Sequence, residues 1–328
     1  MKIHRAAVGT LSLLGLLLWG APLVRAQDKA ASSTVQVHMV ITDQAFSDNS
    51  EVAVLRPETL EVKQGKNALK VDHLIPAQGE NAALQLFILI DDTCDPGIGG
   101  NLNDLRDFIS AQPASTAIGV AYMSNATIQI AQNFTNDHTL AAKALRLPRG
   151  SLSSMDSPYL SLISLVKGWP EQKVRREVLM VTDGIDRLRG NRYSSGRAGA
   201  GLQTMPSISP DADTASRASQ RYGVIVHVIY ATGAGRLGRN SWEAQLGQSG
   251  VAKIADETGG EYFALGTLNA VSFKPYLERL QKILGSQYYL VFQAVPRKKE
   301  GLQRVTISTQ TANVDIAAAD NVWVPAGK

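Results

Sequence analysis

The sequence predicts an α/β fold: a doubly wound, mostly parallel sheet with one antiparallel edge strand, to which the two ends of the chain add a small β-sandwich. Three observations carry this. Residues 84–90 (LQLFILI) and 178–182 (VLMVT) are almost continuously apolar and stop abruptly at Asp91 and Asp183, as strands buried on both faces of a parallel sheet do. Strand-like runs alternate with helix-period segments through the middle of the chain, the pattern of crossover helices on a parallel sheet. Short runs with a period of two lie on either side of that alternation.

Taken in order, Val35, Val37, Met39 and Ile41 alternate with Gln36, His38 and Val40 as a half-buried strand. Leu60 and Val62, then Leu69 and Val71, flank Gln64-Gly65-Lys66, a hairpin with a glycine-bearing turn. After strand 84–90, Leu102, Leu105, Phe108 and Ile109 recur at helical spacing, and strands 117–123 and 127–130 flank a turn at Ser124-Asn125. Asn136 or Asp137 opens a helix, and Ser157-Pro158 opens another, since serine caps and proline suits the first helical position. Strands 178–182 and 224–230 follow, then a helix stopped by Gly259-Gly260 and a last sheet strand, 261–265. Beyond a helix at 276–284, residues 288–294, 304–309 and 314–318 return to β character. The organisation expected is therefore an export segment at 1–26, a β-rich flank at 27–83, the α/β domain at 84–285, and C-terminal strands at 286–328 that pair with the N-terminal flank.

With 328 residues, 44% apolar and 19% charged, the chain is long enough for a large core. Its formal charge of +4 owes three charges to Lys2, Arg5 and Arg25. Those lie in a segment with a basic start, an apolar run and small residues at its end, the layout of a secretory signal cleaved before Gln27. The remaining near-neutral chain argues against nucleic acid, whose phosphates need a concentrated basic face. No transmembrane segment is expected after cleavage, and the product is expected in the periplasm or outside the cell. Cys94 is the single cysteine, so no internal disulfide is available.

Ligands of open α/β sheets bind beyond the carboxyl ends of the strands. If the strands ending in Asp91 and Asp183 are neighbours, two carboxylates about 5 Å apart repel by roughly 3 kcal/mol at an effective dielectric near 20 and need a proton, a cation or an arginine between them. Asp92 and Asp95 add to the same acidic edge, and magnesium, manganese or calcium suits such oxygen ligands. The alternative is that both aspartates only cap turns and helix starts. Arg187, Arg189, Arg192 and Arg197 form a basic loop beside them, within an irregular segment at 187–210. Other chemistry is poorly supported. GxGxxG at residues 233–238 lacks the helix and acid of a dinucleotide site, no GxSxG elbow is present, and Cys94 has no histidine near it in sequence. His227, inside an apolar strand, reads as a hydrogen-bonded core residue.

The stretch FILIDDTCD at 87–95 resembles the first strand and metal-site loop of von Willebrand factor type A domains, usually an apolar strand followed by DxSxS. VLMVTDGID at 178–186 is similar to that family's fourth strand and aspartate-glycine turn, and the hairpin at 118–133 and AKIADETGGEYF at 252–263 sit where the family has them. Bacterial secreted members are the most similar. The resemblance implies a divalent cation held by Asp91, Thr93, Asp95 and Asp183, with Ser153 or Ser154 as the remaining hydroxyl ligand; Asp95 stands where a second serine is usual. It implies a non-enzymatic, adhesion-type module whose protein or other macromolecular partner completes the coordination with an acidic group. The competing expectation is a metal-independent scaffold of the cell envelope that uses the arginine-rich loop.

Overall fold

The computed structural model describes residues 34–45, 55–170, 172, 174–189, 208–234, 241–264 and 269–327. The expected export segment, Arg192, Arg197 and most of the GxGxxG stretch lie outside them. The elements in chain order are strands β1 (Val35–Asp43), β2 (Leu60–Gln64), β3 (Asn67–Leu69), β4 (Val71–Pro76) and β5 (Leu84–Asp91), then helix α1 (Asn101–Ser110). The hairpin strands β6 (Thr116–Ser124) and β7 (Thr127–Thr135) lead to α2 (His138–Lys143), α3 (Pro158–Lys167), β8 (Arg175–Thr182), α4 (Pro210–Arg221) and β9 (Val224–Tyr230). After α5 (Ser241–Thr258), β10 (Tyr262–Phe263) and α6 (Lys274–Gly285) come β11 (Gln287–Ala294), β12 (Gly301–Arg304), β13 (Thr306–Thr309), β14 (Ile316–Ala318) and β15 (Asn321–Val324).

Six strands form the central sheet in the order β10-β9-β8-β5-β6-β7. All pairs are parallel except β6 with β7, so the antiparallel edge strand is where the sequence places it. Its continuous apolar runs follow from burial on both faces. Leu84, Leu86, Ile88 and Ile90 of β5 pack with α1 and α6, whereas Phe87 and Leu89 pack with α3, α4 and α5. Each such side chain contributes about 2 kcal/mol of transfer free energy. Phe87 uses the space left by its β6 neighbour Gly119, where an added Cβ would lie 2.5 Å from the ring, and its own ring stands edge-on to Trp169. Ser157 caps α3 by accepting from the Leu160 N–H, with Pro158 as its first residue.

The chain ends meet in a second core. β1 pairs with β11 from Val35↔Ala294 to Thr42↔Gln287, and β11 also pairs with β4. β13 pairs with β2, and β12 with β15. Where the sequence predicts one small sandwich, there are three small sheets of four, three and two strands. Val37, Ile41, Val62, Leu290, Phe292 and Val324 from these sheets share one apolar cluster. The run at 304–309 is divided because Val305 is buried and its N–H bonds to Asp320 O, so the chain changes partners there. The expected strand 261–265 is reduced to Tyr262–Phe263 among the described residues.

Arg175, buried at the start of β8, grips both points where the chain passes between the central sheet and the flanking strands. It donates to Ala82 O at 2.9 Å, Leu284 O at 2.8 Å and Gln287 Oε1 at 2.5 Å. Arg175→Ala strands these acceptors in a water-poor environment and is expected to destabilise the full chain by about 2–4 kcal/mol, measured as a lower urea midpoint.

Candidate functional site

β5 and β8 are adjacent, with Ile90 opposite Val181, so Asp91 and Asp183 leave neighbouring strands at the carboxyl edge of the sheet. Both are fully withdrawn from solvent, as is Thr93. Asp91 Oδ1 accepts from the Thr93 backbone N–H at 3.0 Å and from Thr93 Oγ1 at 2.8 Å. Its Oδ2 accepts from Thr182 Oγ1 at 2.7 Å, and that hydroxyl accepts from the Gly184 N–H. Asp183 Oδ1 accepts from the Ile185 N–H at 2.9 Å.

The charge between these acids is Arg187. Its Nη1 donates to Thr93 Oγ1 at 3.1 Å and Asp183 Oδ1 at 3.3 Å, and its Nη2 bonds directly to Asp183 Oδ2. The Arg187 side chain is only 7% exposed. Burial opposes its charge, but Asp183 and Asp91 more than offset that, and the guanidinium is pushed up from its usual range. Its Nε is buried without a hydrogen-bond partner among the described residues, so charge, more than complete hydrogen bonding, holds it there. Burial, then the Asp183 carboxylate, pushes Asp91 up to about 6.

A lid of backbone closes the pair. Asp95 N bonds to Thr232 O at 2.8 Å and Ala234 N to Thr93 O at 2.8 Å, making a short antiparallel bridge between Cys94 and Gly233. A Cβ at Gly233 would lie 2.1 Å from Asp183 Oδ2 and 2.6 Å from Arg187 Nη2, so only glycine lets the lid sit this low. Cys94 is buried beneath it, with burial pushing its thiol up, and acts as a small apolar residue.

Of the residues singled out from the sequence, the fold brings together Asp91, Thr93 and Asp183. Asp95 is half-buried and turns its carboxylate to the Gly97 N–H at 2.8 Å, capping a short 3₁₀ turn. Ser154 is exposed in the turn before α3, and Ser153 accepts from the Met155 N–H there. Asp92 points away from the pair, bonded twice by Arg146 at 2.6 and 2.8 Å, while the Arg146 guanidinium lies 3.7 Å over the Tyr122 ring. Arg189 pairs with Asp211 at the start of α4. The two described arginines of the expected basic loop thus turn inward onto aspartates. Arg146 and Thr182 carry no sequence signal as site residues, and Gly233 entered only through the discounted GxGxxG stretch. His227 is a core residue as expected: its ring bonds to Glu177 and accepts from the Glu261 N–H.

These donors do not fit a resident divalent cation as arranged. Both Asp183 oxygens are committed to Arg187, Asp91 already accepts three hydrogen bonds, and Thr93 is shared between them. Among the described residues no group of three or more His, Cys, Asp or Glu side chains is placed to hold a metal.

Two outcomes follow. Gly233→Ala drives a methyl group into the ion pair and is expected to cost about 2–4 kcal/mol in denaturant unfolding. A carboxyl raised on folding favours the folded state most at low pH. The Asp91 contribution is thus fully present below its ordinary value near 3.8 and is lost as pH rises through about 6. Relative to Asp91→Asn, wild-type stability is expected to fall by on the order of 3 kcal/mol between pH 4 and pH 7. Parallel urea titrations of the two proteins would show a constant gap if Asp91 were unperturbed.

No known family model and no curated protein matches the chain. Among solved structures, it is similar to an aerotolerance-related membrane protein from Bacteroides fragilis, at 12% identity and a TM-score of 0.41, covering 62% of this chain and 98% of that one. The SpRpn10 VWA domain is similar at 11% identity and a TM-score of 0.35, covering 62% and 97%. A von Willebrand factor type A protein from Catenulispora acidiphila is similar at 11% identity and a TM-score of 0.39, covering 91% and 75%.

Proposed function

We propose that this chain is an exported, non-enzymatic interaction module that binds a protein or other macromolecular partner on the carboxyl edge of its central sheet, without a bound cation. The supporting observation is where apolar surface remains. Seven large apolar side chains are exposed among the described residues, and Leu147, Met155, Trp242 and Val271 all lie on segments at this edge. Leu147 stands between Arg146 and Arg149, whose segment is tied to the Asp91 loop through Gly150 N and Asp92 O at 2.9 Å. Met155 is in the turn joined to the Arg187 segment by Leu188 N and Asp156 O at 2.8 Å. Trp242 opens α5, and Val271 sits between Ala270 and Ser272, which bond to Asn101 and Asp104 of α1. Scattered exposed apolar residues are ordinary; several on one edge are the composition of a contact surface.

Arg149 adds charge to that rim. Its backbone N–H reaches Asp92, but its guanidinium lies 3.8 Å from a carboxylate that Arg146 already holds in bidentate fashion, and it is 59% exposed. An acidic group on the partner, next to apolar residues, meets this surface directly. The finer alternative is a degenerate cation site at Asp91, Thr93, Asp95, Ser154 and Asp183, completed by the partner's acid. It requires Arg187 to leave and the Gly233 lid to lift. Against catalysis, Cys94 is sealed and His227 is committed to Glu177, so neither supplies a nucleophile and base at this edge.

Export rests on the layout of residues 1–26. The working division is 27–83 and 286–328 as a joint β-rich support and 84–285 as the binding domain. No helix among the described residues is long and apolar enough to cross a membrane. The test is capture of the partner from envelope or secreted material on the immobilised protein. Leu147→Asp, Met155→Asp and Trp242→Asp are each expected to weaken capture about tenfold or more, Ile75→Asp on β4 to leave it unchanged, and chelator to have no effect. Undiminished capture by all three rim variants removes this reading.

A further inference from the structure

We infer that Arg187 is the built-in cation of the Asp91–Asp183 pair, and that its removal uncovers a divalent-metal site that the native chain keeps closed. This deepens the reading of the edge as a cation-free binding surface. The geometry that carries it is the sharing of one guanidinium among Thr93 Oγ1 and both oxygens of Asp183, beside an Asp91 whose own hydrogen bonds leave its charge in place. Two buried carboxylates and a hydroxyl at one point need a positive charge. Here the chain supplies it from four residues beyond Asp183, covered by the Gly233 lid.

An arginine differs from a metal ion in what it leaves open. Mg²⁺ or Mn²⁺ bound to these oxygens would retain exchangeable positions for water or a partner's carboxylate. The guanidinium instead spends its Nη hydrogens on oxygens of its own chain, and its Nε–H is enclosed with no acceptor among the described residues. The native site is therefore complete without a partner and offers it no coordination. Without the guanidinium, what remains is an all-oxygen donor set of two carboxylates and a threonine hydroxyl, the chemistry that magnesium, manganese and calcium take.

The test is thermal melting of the full chain in chelator and in about 5 mM magnesium, manganese or calcium at matched ionic strength. Wild-type melting is expected to be the same in all four. Arg187→Ala and the bulkier Arg187→Gln are expected to melt about 5 °C or more lower in chelator and to recover most of that loss with at least one ion. Adding Asp183→Asn to either should abolish the recovery. If a neutral variant folds only when refolded with the ion, that supports the inference equally. A wild-type shift that Asp183→Asn removes, neutral variants indifferent to all three ions, or neutral variants that fail to fold with or without them each overturn it. Melting reads this inference and partner capture reads the proposed function, so failure of one is distinct from failure of the other.

Discussion

The ion pair between Asp183 and Arg187 is the constraint on which the carboxyl edge of this sheet depends. A parallel sheet whose two central strands both end in aspartate concentrates negative charge at its middle, and the surrounding loops can close over it only once that charge is met. With Arg187 in place, the 91–95 loop and the 232–234 segment bridge over the pair, and the whole group becomes inaccessible to water. The low dielectric created by that closure strengthens the attraction that permits it. It also leaves Asp91 with the unfavourable part of the balance, since the guanidinium bonds to Asp183 and not to Asp91.

The same solution recurs around the rim. Asp92 is held by Arg146 and Asp211 by Arg189, each with two hydrogen bonds from one planar fork. Bidentate arginine pairing fixes direction as well as charge, which a lysine would not do. The acidic edge visible in the sequence is thus mostly neutralised within the chain. Among the described residues, those it leaves exposed include Leu147, Met155 and Arg149.

Much of the fold was legible because it rests on periodicity. Burial on both faces made β5, β8 and β9 continuous apolar runs, and Ser157-Pro158 marked the start of α3 through capping chemistry alone. The convergence of Asp91 and Asp183 was legible on the condition that their strands are neighbours, which they are, whereas Thr93 was singled out only through the resemblance of its loop. The direction of Arg187 did not, because it lies in an irregular segment where sequence spacing fixes no side-chain direction, and the same loop carries arginines that could equally have faced solvent. Arg146 and Asp92 are joined only by tertiary folding. At the C-terminus, an alternating run at 304–309 hid a change of partner at Val305, since a period of two records which face is buried and not which strand lies alongside.

β8 ties these features together. It lies between β5 and β9 in the middle of the sheet, and a buried guanidinium holds each end of it. At its start Arg175 bonds three neutral oxygens from the two chain crossings into the flanking strands, so that the second core is fastened to the sheet by a charge with no carboxylate partner among the described residues. Just past its end Arg187 bonds a carboxylate and a hydroxyl. A neutral side chain of the same length has too few donors for the first task and no charge for the second. The strand is thereby fixed at both ends by interactions that tolerate little displacement, since the Nη groups of both arginines already have their acceptors and the surroundings exclude the water that could replace them. A strand held between two such anchors gives the Asp91 and Asp183 turns at its carboxyl end a fixed base, on which the short bridge between Cys94 and Gly233 closes.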